Sequence, residues 1–102
     1  MQTGRVEHRM AVNLEGRLEK PSIPVFSEAV SIENISGHGA RVITHRSWQL
    51  HDHAVFIALT DDFHTDAEVV YCHRLRVSTY VVGLRFGHSI AEALARWLNG
   101  DH

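Results

Sequence analysis

Residues Ile32-Glu33-Asn34-Ile35-Ser36-Gly37-His38-Gly39, IENISGHG, make a polar, glycine-punctuated break between two stretches that read as strands. Asn, Ser and two Gly so close together is ordinary turn chemistry, because glycine tolerates positive φ and short polar side chains bond to nearby backbone. A hairpin turn is the plain reading. Any further role depends on what the chain places on either side.

Upstream, Met10, Val12, Leu14 and Leu18 alternate with the polar residues Asn13, Glu15 and Arg17, the period of a half-buried strand. After Lys20-Pro21-Ser22, the segment from Val25 to Ile32 sets Phe26, Glu28 and Val30 in one phase and Val25, Ser27, Ala29 and Ser31 in the other, which predicts a strand with a polar face. Downstream come four more β-branched or aromatic runs: Ala40 to His45, Ala54 to Leu59, Ala67 to Cys72 and Thr79 to Phe86. Asp61-Asp62 marks an expected hairpin turn. Short strands at short spacing, with no helical pattern between them, predict an antiparallel sheet folded on itself and not a parallel βαβ sheet.

The carboxy-terminal stretch changes period. Ile90, Leu94, Trp97 and Leu98 fall at i, i+4, i+7 and i+8, Ser89 and Glu92 have capping-box spacing, and Gly100 is a natural stop, so one amphipathic helix is expected over 89–99. A helix this short has little stability alone and must lay its apolar stripe on the sheet or across a barrel opening. No linker or repeat divides the chain, and 102 residues suffice for one modest core.

Composition excludes several classes. A formal charge of −2 lacks the basic excess of a general DNA or RNA binder, so any phosphate recognition must be local. Nine histidines would carry the formal charge from −2 to +7 on full protonation, so the surface field is expected to depend on pH. Cys72 is the single cysteine, which excludes an intrachain disulfide scaffold. The opening MQTGRVEHRM has charges where a signal peptide needs an apolar core, and no run approaches membrane-spanning length, so a cytoplasmic location is expected.

Arg5 and Arg9 stand four residues apart in RVEHR, and 24 residues separate Arg9 from Asn34. Arg-x-x-x-Arg followed at this distance by Asn-x-Ser-x-x-Gly resembles the PilZ domain, the bacterial receptor module for cyclic di-GMP. The resemblance covers nearly the whole chain, since the order of strands and late helix also matches, and VVGLRF looks like the family's last strand. It implies a six-stranded antiparallel β-barrel with one carboxy-terminal helix, divided into a flexible strap at 1–9, a barrel at 10–87 and the helix. It further implies a noncatalytic receptor whose ligand-binding residues are Arg5, Arg9, Asn34, Ser36 and Gly39, with no cofactor besides the nucleotide. His8 and His38 lie inside the motifs, and Arg41 and Arg85 would widen the site if they project outward. Such a receptor would pass its signal to an effector protein in motility, exopolysaccharide production or attachment.

The chemistry suits the residue types. An arginine fork can pair with the O6 and N7 of guanine, grip a phosphate or stack on the purine face. By the family's pattern Asn34 bonds the guanine edge or holds the loop, Ser36 donates to the ligand, and Gly39 allows close backbone approach or an unusual φ. One departure is Gly4, where many members carry another arginine, which leans towards one ligand per chain. The rival within the family is a degenerate adaptor that binds protein and no nucleotide, and the intact motifs count against it.

Other groupings carry less. His51-Asp52-His53 offers two ligands on one face, too few for zinc, and reads as a loop. Ser36, Asp61 and His64 have the residue types of a triad without a nucleophile-elbow sequence or any spacing that joins them. Cys72 reads as strand filling and Trp48 and Trp97 as buried rings, while Arg74 and Arg76, like Arg41 and Arg85, would widen the basic surface if they project outward, although outward arginines on strands are usually just solvated.

Overall fold

Six strands and one helix follow one another in a computed structural model of the chain, which describes residues 10–22, 25–58 and 63–98. They are β1 (Met10–Lys20), β2 (Phe26–Ile35), β3 (Gly39–Thr44), β4 (His53–Ala58), β5 (Phe63–Arg76), β6 (Thr79–Phe86) and α1 (Ala91–Leu98). The strands close into an antiparallel barrel in the order β1-β2-β3-β6-β5-β4. This is the fold class expected from the sequence. The expected turn at Asp61-Asp62 lies outside the described residues; Ala58 and Phe63, which flank it, are paired.

Each strand sends at least one fully buried side chain inward, Leu18, Ile32, Val42, Phe56, Val69 and Val82 among them. Period-two alternation places these apolar groups on the inner face, and the outer face is left to polar and mixed residues. Ile90 and Leu94 of the helical segment are buried in the same core, with Trp97 packed against it, so α1 covers one barrel end as its amphipathic pattern predicts. The Ser89 hydroxyl accepts the Ala91 N–H (3.1 Å), the expected cap.

Two elements run differently from their sequence pattern. β2 continues to Ile35, three residues into the segment read as a turn, because a register shift between Ile32 and Asn34 resets the alternation. Strict period two would bury Asn34; the bulge buries Ile35 instead and leaves Asn34 half-buried. β5 extends over 14 residues, well past the run at 67–72, with its own shifts between Val69 and Tyr71 and between Arg74 and Arg76.

The barrel end opposite α1 is filled by the segment between β3 and β4. Here Glu28, in the inner phase of β2 with Val30 and Ile32, is buried. Its Oε1 accepts the Trp48 indole N–H (3.1 Å), and its Oε2 accepts the backbone N–H groups of His45 (2.5 Å) and Arg46 (3.2 Å). Phe26 stacks obliquely on Trp48 at 5.6 Å, and the Arg46 guanidinium sits 4.5 Å above the Phe26 ring. A carboxylate is tolerated inside because three donors converge on it.

Replacing Glu28 by Leu is expected to destabilise the barrel by at least about 2 kcal/mol, since it strands three donors in a buried corner. Urea unfolding followed by tryptophan fluorescence measures this. A loss below about 0.5 kcal/mol would mean that the corner is not held by the carboxylate.

Candidate functional site

The pairing register brings the second motif beside the start of β1. Met10 pairs with Ile35 and Ala11 with Asn34, so the first described residues of β1 lie beside the second motif. Arg5, His8 and Arg9 themselves lie outside the described residues.

Carried across the sheet, the register puts Ala11, Asn34, Arg41, Gly83 and Tyr71 in one row over five strands. A second row joins Gly39, Arg85, Glu68 and His53. Val82 and Leu84 are buried in the core, so Gly83 and Arg85 between and beyond them face outward. The candidates on described strands thus gather on the outer surface of β2, β3 and β6.

Inside the turn the candidates do structural work. Ser36 is completely buried. Its N–H donates to the Gly39 carbonyl (2.8 Å), and its hydroxyl oxygen accepts the N–H groups of His38 and Gly39 (3.2 Å each), so it shapes the loop from within. The exposed His38 lends its carbonyl to the Phe86 N–H (2.8 Å), and the Gly37 carbonyl accepts the Ile90 N–H (2.7 Å). At Gly39 a Cβ would lie 2.3 Å from the Leu84 carbonyl oxygen, which is the close-approach reason for glycine.

Charge on this face is held in exposed pairs. Arg41 Nε donates to Glu33 Oε1 (3.2 Å). The Arg85 guanidinium donates to Glu68 Oε1 and the His51 ring, through Nδ1, to Glu68 Oε2, both at 2.6 Å. The His51 hydrogen bond first and the Arg85 one second hold the Glu68 carboxyl below the ordinary glutamate range. Beside this pair opens a cleft of about 350 Å³ lined by His53, Val55, Asp66, Glu68, Arg85 and Phe86 among others. No group of three or more His, Cys, Asp or Glu side chains among the described residues is placed to hold a metal ion.

One outward residue escaped the sequence reading. The Tyr71 ring occupies the space a side chain at Gly83 would fill, since a Cβ there would meet Tyr71 Cε2 at 2.1 Å. The ring stacks on His73 at 5.3 Å with 23° between planes, and it shares its row with Arg41 and Asn34. The signal available was Gly83 itself, a glycine inside a β-branched strand, which marks close approach by another group.

The sequence matches the PilZ domain family model over residues 4–100. Among solved structures, the inhibitor of motility MotI/DgrA from Bacillus subtilis resembles the chain with a TM-score of 0.68 and 17% identity. The likeness covers 97% of this chain and 53% of that one, so the chain spans about half of its length; at this identity the likeness is one of fold. No curated protein sequence matched.

The lowered pKa of Glu68 predicts a signed pH effect. A carboxyl whose folded pKa lies below its unfolded value adds stability above the unfolded pKa and loses it as pH falls through the folded one. The stability advantage over Glu68→Gln is therefore expected near neutral pH, should begin to shrink as pH falls below the unfolded glutamate value of about 4.3, and should be gone once pH is below the lowered folded one. Thermal unfolding of both proteins across that range checks it; a difference that grows towards acid would refute the assignment.

Proposed function

This chain belongs to the PilZ domain family, and we propose that it is a noncatalytic, cytoplasmic receptor for cyclic di-GMP that hands its signal to a protein partner. The observation that carries the reading is the double row on the outer face. Asn34, Arg41 and Tyr71 stand in one line, Gly39 and Arg85 in the next, and β1 begins beside them with Met10 paired to Ile35. The second half-motif thus shares a surface with the start of β1, the strand that the first half-motif precedes in sequence.

Each group has a role in that reading. Arg5 and Arg9 supply forks for guanine O6 and N7 or for phosphate. Asn34, half-buried at the bulge, offers an amide to a base edge. Ser36 and Gly39 act mainly by fixing the loop, with the Ser36 hydroxyl already engaged by two backbone donors. Tyr71 offers a face on which a guanine can stack, a contact worth about 1–3 kcal/mol per base in single-stranded nucleic acids. Arg41 and Arg85 add positive charge at the edges, and His38 a further donor when protonated.

The net charge of −2 does not oppose an anionic ligand here. Glu33 and Glu68 hold the two arginines in exposed pairs, and such pairs contribute little, so exchanging a carboxylate for a phosphodiester costs little.

Calorimetry with cyclic di-GMP and cyclic di-AMP tests the reading. The guanine dinucleotide is expected to bind far more tightly, because adenine presents an N6 donor where guanine presents the O6 acceptor. Arg9→Ala should cost about 1–3 kcal/mol of binding while leaving the unfolding temperature unchanged. Equal affinities for the two dinucleotides would sink the guanine-reading site. Absence of binding to either would favour the adaptor that works without nucleotide.

The strap at 1–9 has Val6 as its one clear apolar anchor apart from Met1, too little burial to offset chain entropy, so ligand contacts from Arg5 and Arg9 are what would order it. Hydrogen exchange at Thr3 to Arg9 should slow on adding cyclic di-GMP. Equal protection with and without ligand would remove strap ordering from the mechanism.

A further inference from the structure

Beyond Val69, β5 keeps a neighbour among the described residues on one side only. β4 pairs with Phe63–Ala67 and Glu68, and the next step is taken by the loop before it, where the His51 N–H bonds the Val69 carbonyl (2.8 Å) and the Asp52 carbonyl accepts the Val69 N–H (2.9 Å). β6 continues beside β5 as far as the Arg76–Thr79 pair. On the other edge, no described residue pairs with the backbone from Val70 to Arg76.

That edge has a definite chemistry. It carries His73, Arg74 and Arg76, and the chain holds no Asp or Glu from Val69 to Ala91. The neighbouring segment from Ala40 to His51 also lacks acids, and its His45 ring bonds the Ser78 carbonyl at 3.1 Å, tying it to the hairpin tip. Leu75 and Val77 at the tip are 54% and 75% exposed. The other large exposed apolar residues among those described, Val25 and Leu50, lie in connections at the same end of the barrel, away from the Ser36–His38 turn.

We propose that the open edge of β5 from Val70 to Arg76 is the docking site for an extended acidic segment of a partner protein, which adds to the barrel as a further strand. Three observations select this occupant. Unpaired backbone donors and acceptors along a strand are satisfied by another backbone, with alternate side chains setting specificity. The acid-free, arginine-bearing edge is complementary to Asp and Glu and the exposed Leu75 and Val77 to apolar side chains. A second copy would bring His73, Arg74 and Arg76 against like charges, which is how edges are guarded against self-pairing. A lipid surface would leave the edge N–H and C=O groups without partners. The proposal goes beyond nucleotide recognition and does not depend on it.

The test uses the full chain, labelled with 15N, and a short blocked peptide of alternating glutamate and valine. Three comparison probes are the same peptide N-methylated at alternate residues, a lysine-for-glutamate version, and vesicles of phosphatidylglycerol and phosphatidylcholine. The acidic peptide is expected to shift the Val70 to Arg76 amides and slow their exchange. N-methylation, the lysine version and the double substitution Arg74→Glu, Arg76→Glu should each weaken this by about tenfold or more. Circular dichroism of the double variant should match the unsubstituted protein. The proposal is overturned if the acidic peptide leaves these amides unmoved, if the N-methylated peptide binds equally well, or if only the vesicles perturb the edge.

Discussion

A close backbone approach where β3 meets β6 governs the rest of the molecule. Gly39 sits so near Leu84 that a Cβ would lie 2.3 Å from its carbonyl oxygen. Because the strands can close this far, the turn before Gly39 reaches the end of the last strand. His38 then takes the Phe86 N–H and Gly37 the Ile90 N–H, and a Cβ on Gly37 would lie only 3.0 Å from that of Ala91. Turn, last strand and helix entry become one hydrogen-bonded unit. The glycines and serine of the loop are thus spent first on closing the barrel, and the outward residues beside them are left for recognition.

That division explains what was legible in the sequence. Strand number, the closing helix and the cap at Ser89 follow from periodicities that tertiary structure does not override, as Val42, Val82 and Leu94 show by burying on schedule. The ends of elements were harder, because bulges are set by neighbouring strands. Nothing local announces that Ile35 and not Asn34 will enter the core, or that β5 will continue to Arg76. Glu28 shares its phase with Phe26 and Val30, and what holds a carboxylate there is hidden because its donors, at His45, Arg46 and Trp48, are distant in sequence. Of the candidate site, Asn34, Arg41 and Arg85 were legible by type and position, whereas Tyr71 was hidden because its partner in space, Gly83, lies on another strand. Arg74 and Arg76 read as solvated, and only the pairing pattern reveals the unpaired edge they occupy.

Electrostatics and backbone pairing divide the molecule differently from the fold. Acids next to Arg41 and Arg85 offset those cations, so that face is balanced. The stretch after Glu68 has no such balance until Glu92. A small domain with a net charge of −2 therefore presents one arginine surface paired with carboxylates and one edge whose own residues from Val69 to Arg76 include no acid, and these suit different partners: a compact anion that displaces carboxylates, and an acidic chain.

The two surfaces meet on β5. Tyr71, whose ring covers Gly83 in the row with Arg41 and Asn34, is also the second residue of the open edge, and His73, stacked on it, is the fourth. A ligand can shift an equilibrium only through contacts that differ between states. In the proposed receptor, a base stacked on Tyr71 would provide such a contact, fixing a ring whose packing continues through His73 to the edge that Arg74 and Arg76 flank. The register shift between Val69 and Tyr71 lies just past the last backbone bonds to the β4 side, where β6 is the strand's one partner among the described residues. Few backbone bonds make a region cheap to rearrange. The part of β5 that would sense the nucleotide is therefore also the part least constrained by the barrel, and the part a partner strand would touch.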